Sequence, residues 1–297
     1  MRVAFVGLGA MGRGMAANLL DAGHEVRGFD VAESSLVWLQ QRGGAPSTTV
    51  ADACTDAEAL VSMVVNDTQT EAVLFGDNGA VGALGVGALV MLCSTMPPRA
   101  VEGFAERAIT HGWHLLDAPV SGGTVGAEAG TLSIMAAGDA TAFELAAPLL
   151  DAMAGKVHRM GDQPGMGAAM KVVHQLAAGT HLAVAAEVMA LGAKAGLAPQ
   201  TVFDVISGAA GRSWMFENRV PHMLDDDYTP QSAVEIFVKD LGLVLDAGKT
   251  LRFPLPLAAA AHQQFLAAAA LGHGQLDDAA VVKVYEALAG VSVKRRS

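Results

Sequence analysis

The feature that most constrains this chain is a short apolar run at 3–6 that breaks on Gly7-Leu8-Gly9-Ala10-Met11-Gly12 and resumes as a helical pattern. In the order strand, glycine loop, helix, each glycine has a distinct role. Gly7 permits a tight turn, Gly9 lets backbone approach a pyrophosphate, and Gly12 allows close helix–strand packing. The helix start supplies N–H groups and positive partial charge to phosphates, so Leu8, Ala10 and Met11 count with the glycines as cofactor-binding positions. A second strand, at 25–30, ends on Asp30. A carboxylate there accepts both adenosine-ribose hydroxyls and repels a 2′-phosphate, which makes NAD rather than NADP the expected cofactor. Arg13 and Arg27 are the cations that could offset this, although strand alternation puts Arg27 and Asp30 on opposite faces.

Further apolar runs at 60–64, 89–93, 114–117 and 132–137 alternate with helical patterns. This implies an α/β architecture: a doubly wound parallel sheet with helices on both faces. Beyond the turn-rich stretch 161–165 the strand signals stop. Residues 167–196 read as one long helix of Ala, Val, Leu and Met, and helical patterns continue at 200–207, 232–250, 257–271 and 277–288. The expected organisation is a Rossmann NAD-binding domain over 1–163 and an all-α substrate and oligomerisation domain over 164–297, with a long inter-domain helix. A helix apolar nearly all round must be buried on several sides, which favours a homo-oligomer, dimer or tetramer.

With a net charge of -11 over 297 residues, the average field repels nucleic acid. The one dense cationic run, Lys294-Arg295-Arg296, reads as a solvated tail. Cys54 and Cys93 are the only cysteines, and the nine histidines show no paired ligand spacing, so no metal is expected. The N-terminus lacks a secretory pattern and the later apolar stretches are interrupted by His, Lys, Glu or Gly. No membrane span and a cytoplasmic location are therefore expected.

Candidate chemistry falls in loops at strand ends. Val65, Asn66 and Thr95 are placed to hydrogen-bond the nicotinamide half of a cofactor, although Thr95, just before Pro97 and Pro98, fits a helix cap as well. In Asp117-Ala118-Pro119-Val120-Ser121-Gly122-Gly123, the Ser121 hydroxyl and the N–H groups of Gly122 and Gly123 could cradle a carboxylate; an ordinary turn is the plainer alternative. Lys171 lies early in the apolar helix. Desolvating an ammonium favours its neutral, proton-accepting form, which suits the oxidation of an alcohol, while a snorkelling surface lysine is the alternative. His174 follows one turn later on the same face, as a substrate contact or a core histidine.

With Phe237-Val238-Lys239-Asp240-Leu241, these motifs resemble the β-hydroxyacid dehydrogenase family, which includes 3-hydroxyisobutyrate dehydrogenases and tartronate semialdehyde reductases, over essentially the whole chain. The resemblance implies a Rossmann domain, a helical substrate domain and a cleft between them. It implies carboxylate binding by Ser121, Gly122 and Gly123, acid–base catalysis by Lys171, and a Lys239 that approaches both nicotinamide and substrate. Most members carry Asn where this chain has His174. Segments 171–176 and 213–219 look like the L-threonate dehydrogenase branch, which oxidises C2 of a four-carbon sugar acid. On that reading His174, Ser213 and Asn218 meet the extra polar groups of the substrate, and Trp214 and Phe216 fit a pocket wall or a core equally. The expected activity is NAD-dependent oxidation of a small hydroxy acid, best matched by L-threonate. Its rivals are the 3-hydroxyisobutyrate and tartronate semialdehyde activities and, from another class, a non-catalytic dinucleotide-binding regulator.

Overall fold

A computed structural model of the chain describes residues 1–295 and divides into two compact units, one of Met1–Lys171 and one beginning at Val172. Strands of the first unit are β1 (Arg2–Val6), β2 (Glu25–Phe29), β3 (Ala45–Pro46), β4 (Ala59–Ser62), β5 (Leu89–Leu92), β6 (His114–Asp117), β7 (Val120–Ser121), β8 (Leu132–Ala137) and β9 (Ala154–Gly161). Its helices are α1 (Ala10–Asp21), α2 (Glu33–Gln41), α3 (Val50–Cys54), α4 (Asp67–Phe75), α5 (Pro98–Thr110), α6 (Gly123–Glu128) and α7 (Ala140–Met153). The strands form one sheet in the order β3-β2-β1-β4-β5-β6-β8-β7, with β9 paired to β8. β1 lies parallel to both β2 and β4, so the winding direction reverses beside it and leaves a crevice at the strand carboxyl ends.

Both faces of β1 are covered. Val3 and Phe5 pack with Met15 and Leu19 of α1, whereas Ala4 and Val6 pack on the other side with Leu60, Leu74 and Leu92. Burial on two faces explains why these strands read as unbroken apolar runs rather than as alternation. Contrary to the parallel sheet expected from sequence, the sheet is mixed. β8 runs antiparallel to β6, at Asp117 opposite Ala137, and to β7, at Val120 opposite Ile134. Residues 122–131 are too few for a parallel crossover, which needs about a dozen or more. β9 carries no sequence signal: its side chains are all exposed or half-buried, so neither an apolar run nor an alternation marks it.

The long helix α8 (Met166–Lys194) begins in the first unit and continues into the second, followed by α9 (Pro199–Ser207), α10 (Trp214–Asp225), α11 (Val234–Leu251), α12 (Pro256–Ala268) and α13 (Val282–Ala289). By length and composition alone α8 could cross a membrane. Its Ala178, Leu182, Ala186 and Met189 instead join Phe237 and Leu241 of α11 and Phe265 of α12 in one core. Gly179 allows this approach, since a Cβ there would lie 2.9 Å from Leu241 Cδ2. Helix α10 escaped the sequence reading because Pro221 and several polar residues interrupt its pattern. The basic tail also differs from expectation. Arg295 pairs with Asp225 at 2.6 Å and donates its backbone N–H to the Leu224 carbonyl, and Lys294 reaches Asp226 at 3.4 Å. Two carboxylates in reach hold what composition alone would leave solvated; Arg296 lies outside the described residues.

Candidate active site

The glycine loop has the construction its sequence predicts. Gly7 has φ +94°, and a Cβ there would sit 2.4 Å from the Met63 carbonyl oxygen. At Gly12 a Cβ would fall 1.9 Å from the Gly7 oxygen, so any side chain is excluded where α1 meets the loop. Gly9 is different: a Cβ there would meet nothing within 4 Å. Packing does not require a glycine at that position, at the mouth of the crevice and the N-terminus of α1, whereas close approach by a pyrophosphate would. Ala10 opens α1 and Met11 follows it, both within the turn whose N–H groups face that space.

Asp30 is tied to the same loop. Its Oδ2 accepts the Leu8 N–H at 2.7 Å and its Oδ1 accepts the Ala32 N–H at 2.8 Å. Leu8 itself is fully buried and its N–H is taken by Asp30, so contrary to expectation it supports the loop rather than presenting a group to a ligand. Arg13 donates to the Leu8 carbonyl and to Ser35 Oγ, each at 3.2 Å, and lies near the Trp38 ring. Buried Ser35 also donates to the Leu8 carbonyl at 3.0 Å, a loop support that sequence reasoning did not find. Arg27 donates to the Thr55 carbonyl, which occupies the guanidinium away from Asp30.

Among the nicotinamide candidates, Asn66 has a structural role, since its Oδ1 accepts the Gln69 N–H at 2.9 Å and caps α4. Val65 is exposed and its N–H donates to Gln69 Oε1. Thr95 is not the cap of α5, because Pro97 occupies that position. Two neighbouring hydroxyls stand out in the structure, one of them, Ser62, without any signal in the sequence. Ser62 ends β4 and Ser94 follows β5; both are buried with no hydrogen-bond partner for Oγ among the described residues.

At the end of β6, the buried Asp117 Oδ2 accepts the N–H groups of Gly165 at 2.8 Å and Ala168 at 2.9 Å. Burial pushes this carboxyl up to about 6, against the N–H groups of Ala168, Gly165 and Gly167, which favour the ionised form. Gly167 permits the contact: a Cβ there would lie 2.4 Å from the Met135 oxygen and 3.0 Å from Asp117 Cγ. Lys171 comes one turn later on α8 and is only 7% exposed. Four residues beyond Asp117 in the other direction, Ser121 pairs in β7 opposite Ser133, and Gly122 and Gly123 take φ values of +130° and +64°. Asp117 thus ties the segment bearing the Ser121-Gly122-Gly123 turn to the helix bearing Lys171.

In the second unit, His174 Nδ1 lies 2.8 Å from Gln175 Oε1, and Gln175 Nε2 donates to Asp240 Oδ2 at 2.5 Å. Lys239 Nζ pairs with the other oxygen of Asp240 at 3.0 Å. His174 and Lys239 thus belong to one polar chain through Gln175 and Asp240, neither of which was singled out from sequence. Ser213 and Asn218 lie elsewhere in the hydrogen-bond pattern. Ser213 Oγ caps α10 by accepting the Phe216 N–H at 3.1 Å. Asn218 Oδ1 accepts from Arg219, whose guanidinium is buried against Asp278 at 2.6 Å. Phe216 is core, stacked on Phe203 with centroids 5.9 Å apart, whereas Trp214 is half-exposed.

Residues 2–161 match the NAD-binding domain of 6-phosphogluconate dehydrogenase, and residues 165–285 match the NAD-binding family of NADP-dependent 3-hydroxyisobutyrate dehydrogenase. An L-threonate dehydrogenase of Cupriavidus necator is 49% identical over 95% of each chain. The chain belongs to the β-hydroxyacid dehydrogenase family. Another member, an L-threonate dehydrogenase of Pectobacterium atrosepticum, is 47% identical over 96% of this chain and 94% of its own. A crystal structure described as 3-hydroxyisobutyrate dehydrogenase from Salmonella typhimurium superposes with a TM-score of 0.91 at 45% identity, covering 95% of this chain and 99% of that one. As a β-hydroxyacid dehydrogenase the chain is an NAD-dependent oxidoreductase acting on a small hydroxy acid.

Proposed function

We propose that this β-hydroxyacid dehydrogenase oxidises L-threonate at C2 to the 2-oxo acid, with NAD preferred over NADP and Lys171 as the proton-transfer residue. The observation that carries the chemistry is the nearly buried Lys171, one turn beyond the Asp117–Ala168 contact that ties its helix to the Ser121-Gly122-Gly123 segment. The substrate assignment draws on relatives that carry the L-threonate name at 47–49% identity, and on His174, an imidazole suited to a polyhydroxylated acid.

The open Gly9 position and the N-terminus of α1 fit a bound pyrophosphate, and Asp30 is the group that would accept the adenosine-ribose hydroxyls. Val65, Asn66 and Thr95 serve the nicotinamide half, the N–H groups of Ala10 and Met11 serve the phosphates, and Leu8 shapes the loop through its N–H bond to Asp30. When bound, NAD supplies the acceptor for the hydride that leaves C2. Ser121, Gly122 and Gly123 hold the substrate carboxylate and so fix which carbon reacts. Lys171, as the neutral amine, takes the C2 hydroxyl proton while the C=O bond forms, and the ammonium returns it in the reverse direction. His174 and Lys239 are substrate contacts, Lys239 also serving the nicotinamide; Ser213 and Asn218 take a secondary place because their oxygens already accept from the protein. Domains over 1–163 and 164–297, a cytoplasmic location and a homo-oligomer through the exposed Val173, Val184 and Leu191 of α8 complete the reading.

Initial rates with NAD across a panel of hydroxy acids test the substrate. The expected outcome is a specificity constant for L-threonate above those for 3-hydroxyisobutyrate and the other acids. Turnover of 3-hydroxyisobutyrate well above every tetronate would instead assign the rival activity. No turnover of any acid, with NAD still bound, would favour a dinucleotide-binding regulator.

A further inference from the structure

The Ser121 hydroxyl stands at the end of a polar row that crosses three strands. Ser121 and Ser133 are direct partners in the antiparallel pairing of β7 and β8. Their neighbours Val120 and Ile134 turn into the core, so both serines share the opposite face of the sheet. Directly opposed side chains have Cβ atoms about 4.5–5.5 Å apart, close enough for one hydroxyl to reach the other. On β9, Val157 packs with that same core, which puts His158 on the serine face. Its Nε2 lies 3.1 Å from Ser133 Oγ. Lys156, the register partner of Ser133, is exposed, and the ring two residues further along is what meets the hydroxyl. Ser121, Ser133 and His158 are all half-buried.

The chemistry of a carboxylate gives this row a direction. A carboxylate only accepts, so a Ser121 hydroxyl that holds one must donate its single proton to it. The Ser121 oxygen is then an acceptor, and a donor behind it strengthens its own bond to the substrate. Ser133 supplies that O–H, and the Ser133 oxygen in turn accepts from Nε2–H of His158. The backbone adds to the effect. β7 spans only Val120–Ser121, and Gly122 and Gly123 follow at once with φ of +130° and +64°. Pairing with Ser133 therefore also fixes where the turn begins.

We propose that Ser133, held by His158, is a positioning residue that orients the Ser121 hydroxyl toward the substrate carboxylate. This inference rests on the reading of Ser121 as a carboxylate contact. It gives β9, whose side chains carry no burial pattern, a part in the substrate site through His158. The carboxylate is common to all hydroxy acids, so the row strengthens the binding of each and leaves the choice among them to other residues.

The test compares Ser133→Ala, Ser133→Thr, His158→Phe and Ser121→Ala in the full chain. Calorimetry gives Kd for L-threonate and for 3-hydroxyisobutyrate on each variant saturated with NADH, where a hydroxy acid has no hydride acceptor; kcat and KM follow with NAD. Ser133→Ala should raise Kd and KM about tenfold for both acids, with kcat within about threefold of wild type and NADH affinity and Tm kept. Ser133→Thr keeps the hydroxyl and suits a strand, so its Kd should stay within about threefold of wild type. His158→Phe should weaken both acids by a smaller factor. The double variant should match Ser133→Ala alone, because the ring acts through that hydroxyl.

An unchanged Kd in Ser133→Ala, equal losses in Ser133→Ala and Ser133→Thr, or full additivity in the double variant would overturn the proposal. Should Ser133→Ala fail to fold, His158→Phe decides, and an unchanged Kd there overturns it. Ser121→Ala separates the two readings. If it weakens both acids while Ser133→Ala does not, the positioning role alone falls; if it leaves binding unchanged, the carboxylate cradle falls and the positioning role with it. A preference for 3-hydroxyisobutyrate would count against the L-threonate assignment and leave a shift common to both acids standing.

Discussion

Asp117 Oδ2 lies 2.9 Å from the backbone nitrogen of Ala168, one helical turn ahead of Lys171. Asp117→Ala removes the acceptor and leaves the N–H groups of Gly165 and Ala168 unpaired at a buried helix start. The expected cost is roughly 1–3 kcal/mol for each group, read from denaturant unfolding. Asp117→Asn keeps an acceptor and should fold. Its kcat should be affected more than its NAD affinity, because the displaced element is the one bearing Lys171.

The same carboxylate gives a pH signature. Burial raises it from 3.8 to about 6 in the fold. Across that interval the folded chain therefore binds more protons than the unfolded chain, and the Asp117 contribution to stability falls as pH rises, levelling off above about 6. Asp117→Asn cannot titrate there. Unfolding at a series of pH values should show wild type losing ground to Asp117→Asn between about pH 4 and 6, with a constant difference above; a difference independent of pH would refute the assignment.

Lys171→Ala should lower kcat by about 10²–10⁴-fold, the range for loss of a positioned acid–base group. NAD binding, measured by fluorescence titration, should stay close to wild type. Near-normal turnover in a folded variant would remove Lys171 from the mechanism.

Gly9 and Gly12 should respond in opposite ways. Gly9→Ala meets no atom within 4 Å, so its Tm should match wild type while NAD affinity falls by about tenfold or more. Gly12→Ala places a methyl 1.9 Å from the Gly7 oxygen and should destabilise the first unit by at least about 1–3 kcal/mol. Melting curves with and without NAD distinguish the two effects.

Asp30→Ala should lower the NAD over NADP ratio of kcat/KM by roughly 10–100-fold, the equivalent of about 1.5–3 kcal/mol in charge-assisted hydrogen bonds to the ribose. An unchanged ratio would assign cofactor choice to another residue.

What sequence made legible were the features built from local chemistry. Gly7, Gly9 and Gly12 follow from turn geometry and backbone approach, and the apolar runs of β1, β4 and β5 from burial on two faces. Lys171 stood out as a charge in an apolar helix. The run at 132–137 was legible as a strand, but its antiparallel direction as β8 was not, because direction is set by the connection rather than by the strand's own side chains; the two-residue β7 is too short to leave a pattern, and the exposed side chains of β9 leave none. Ser35, Gln175 and Asp240 act through partners 27 and 65 residues away along the chain, and no local spacing announces such pairings. Asn66 and Ser213 were visible as polar residues in useful places, but their cap bonds appear only once the helix starts are fixed.

The most direct test of the central claim is oxidation of L-threonate carrying deuterium at C2, by the full chain with NAD. The account predicts a 2-oxo acid product, deuterium in the reduced cofactor and a slower rate than with unlabelled substrate wherever hydride transfer limits turnover. Deuterium retained in the product, or no reduction of NAD by L-threonate, would contradict it.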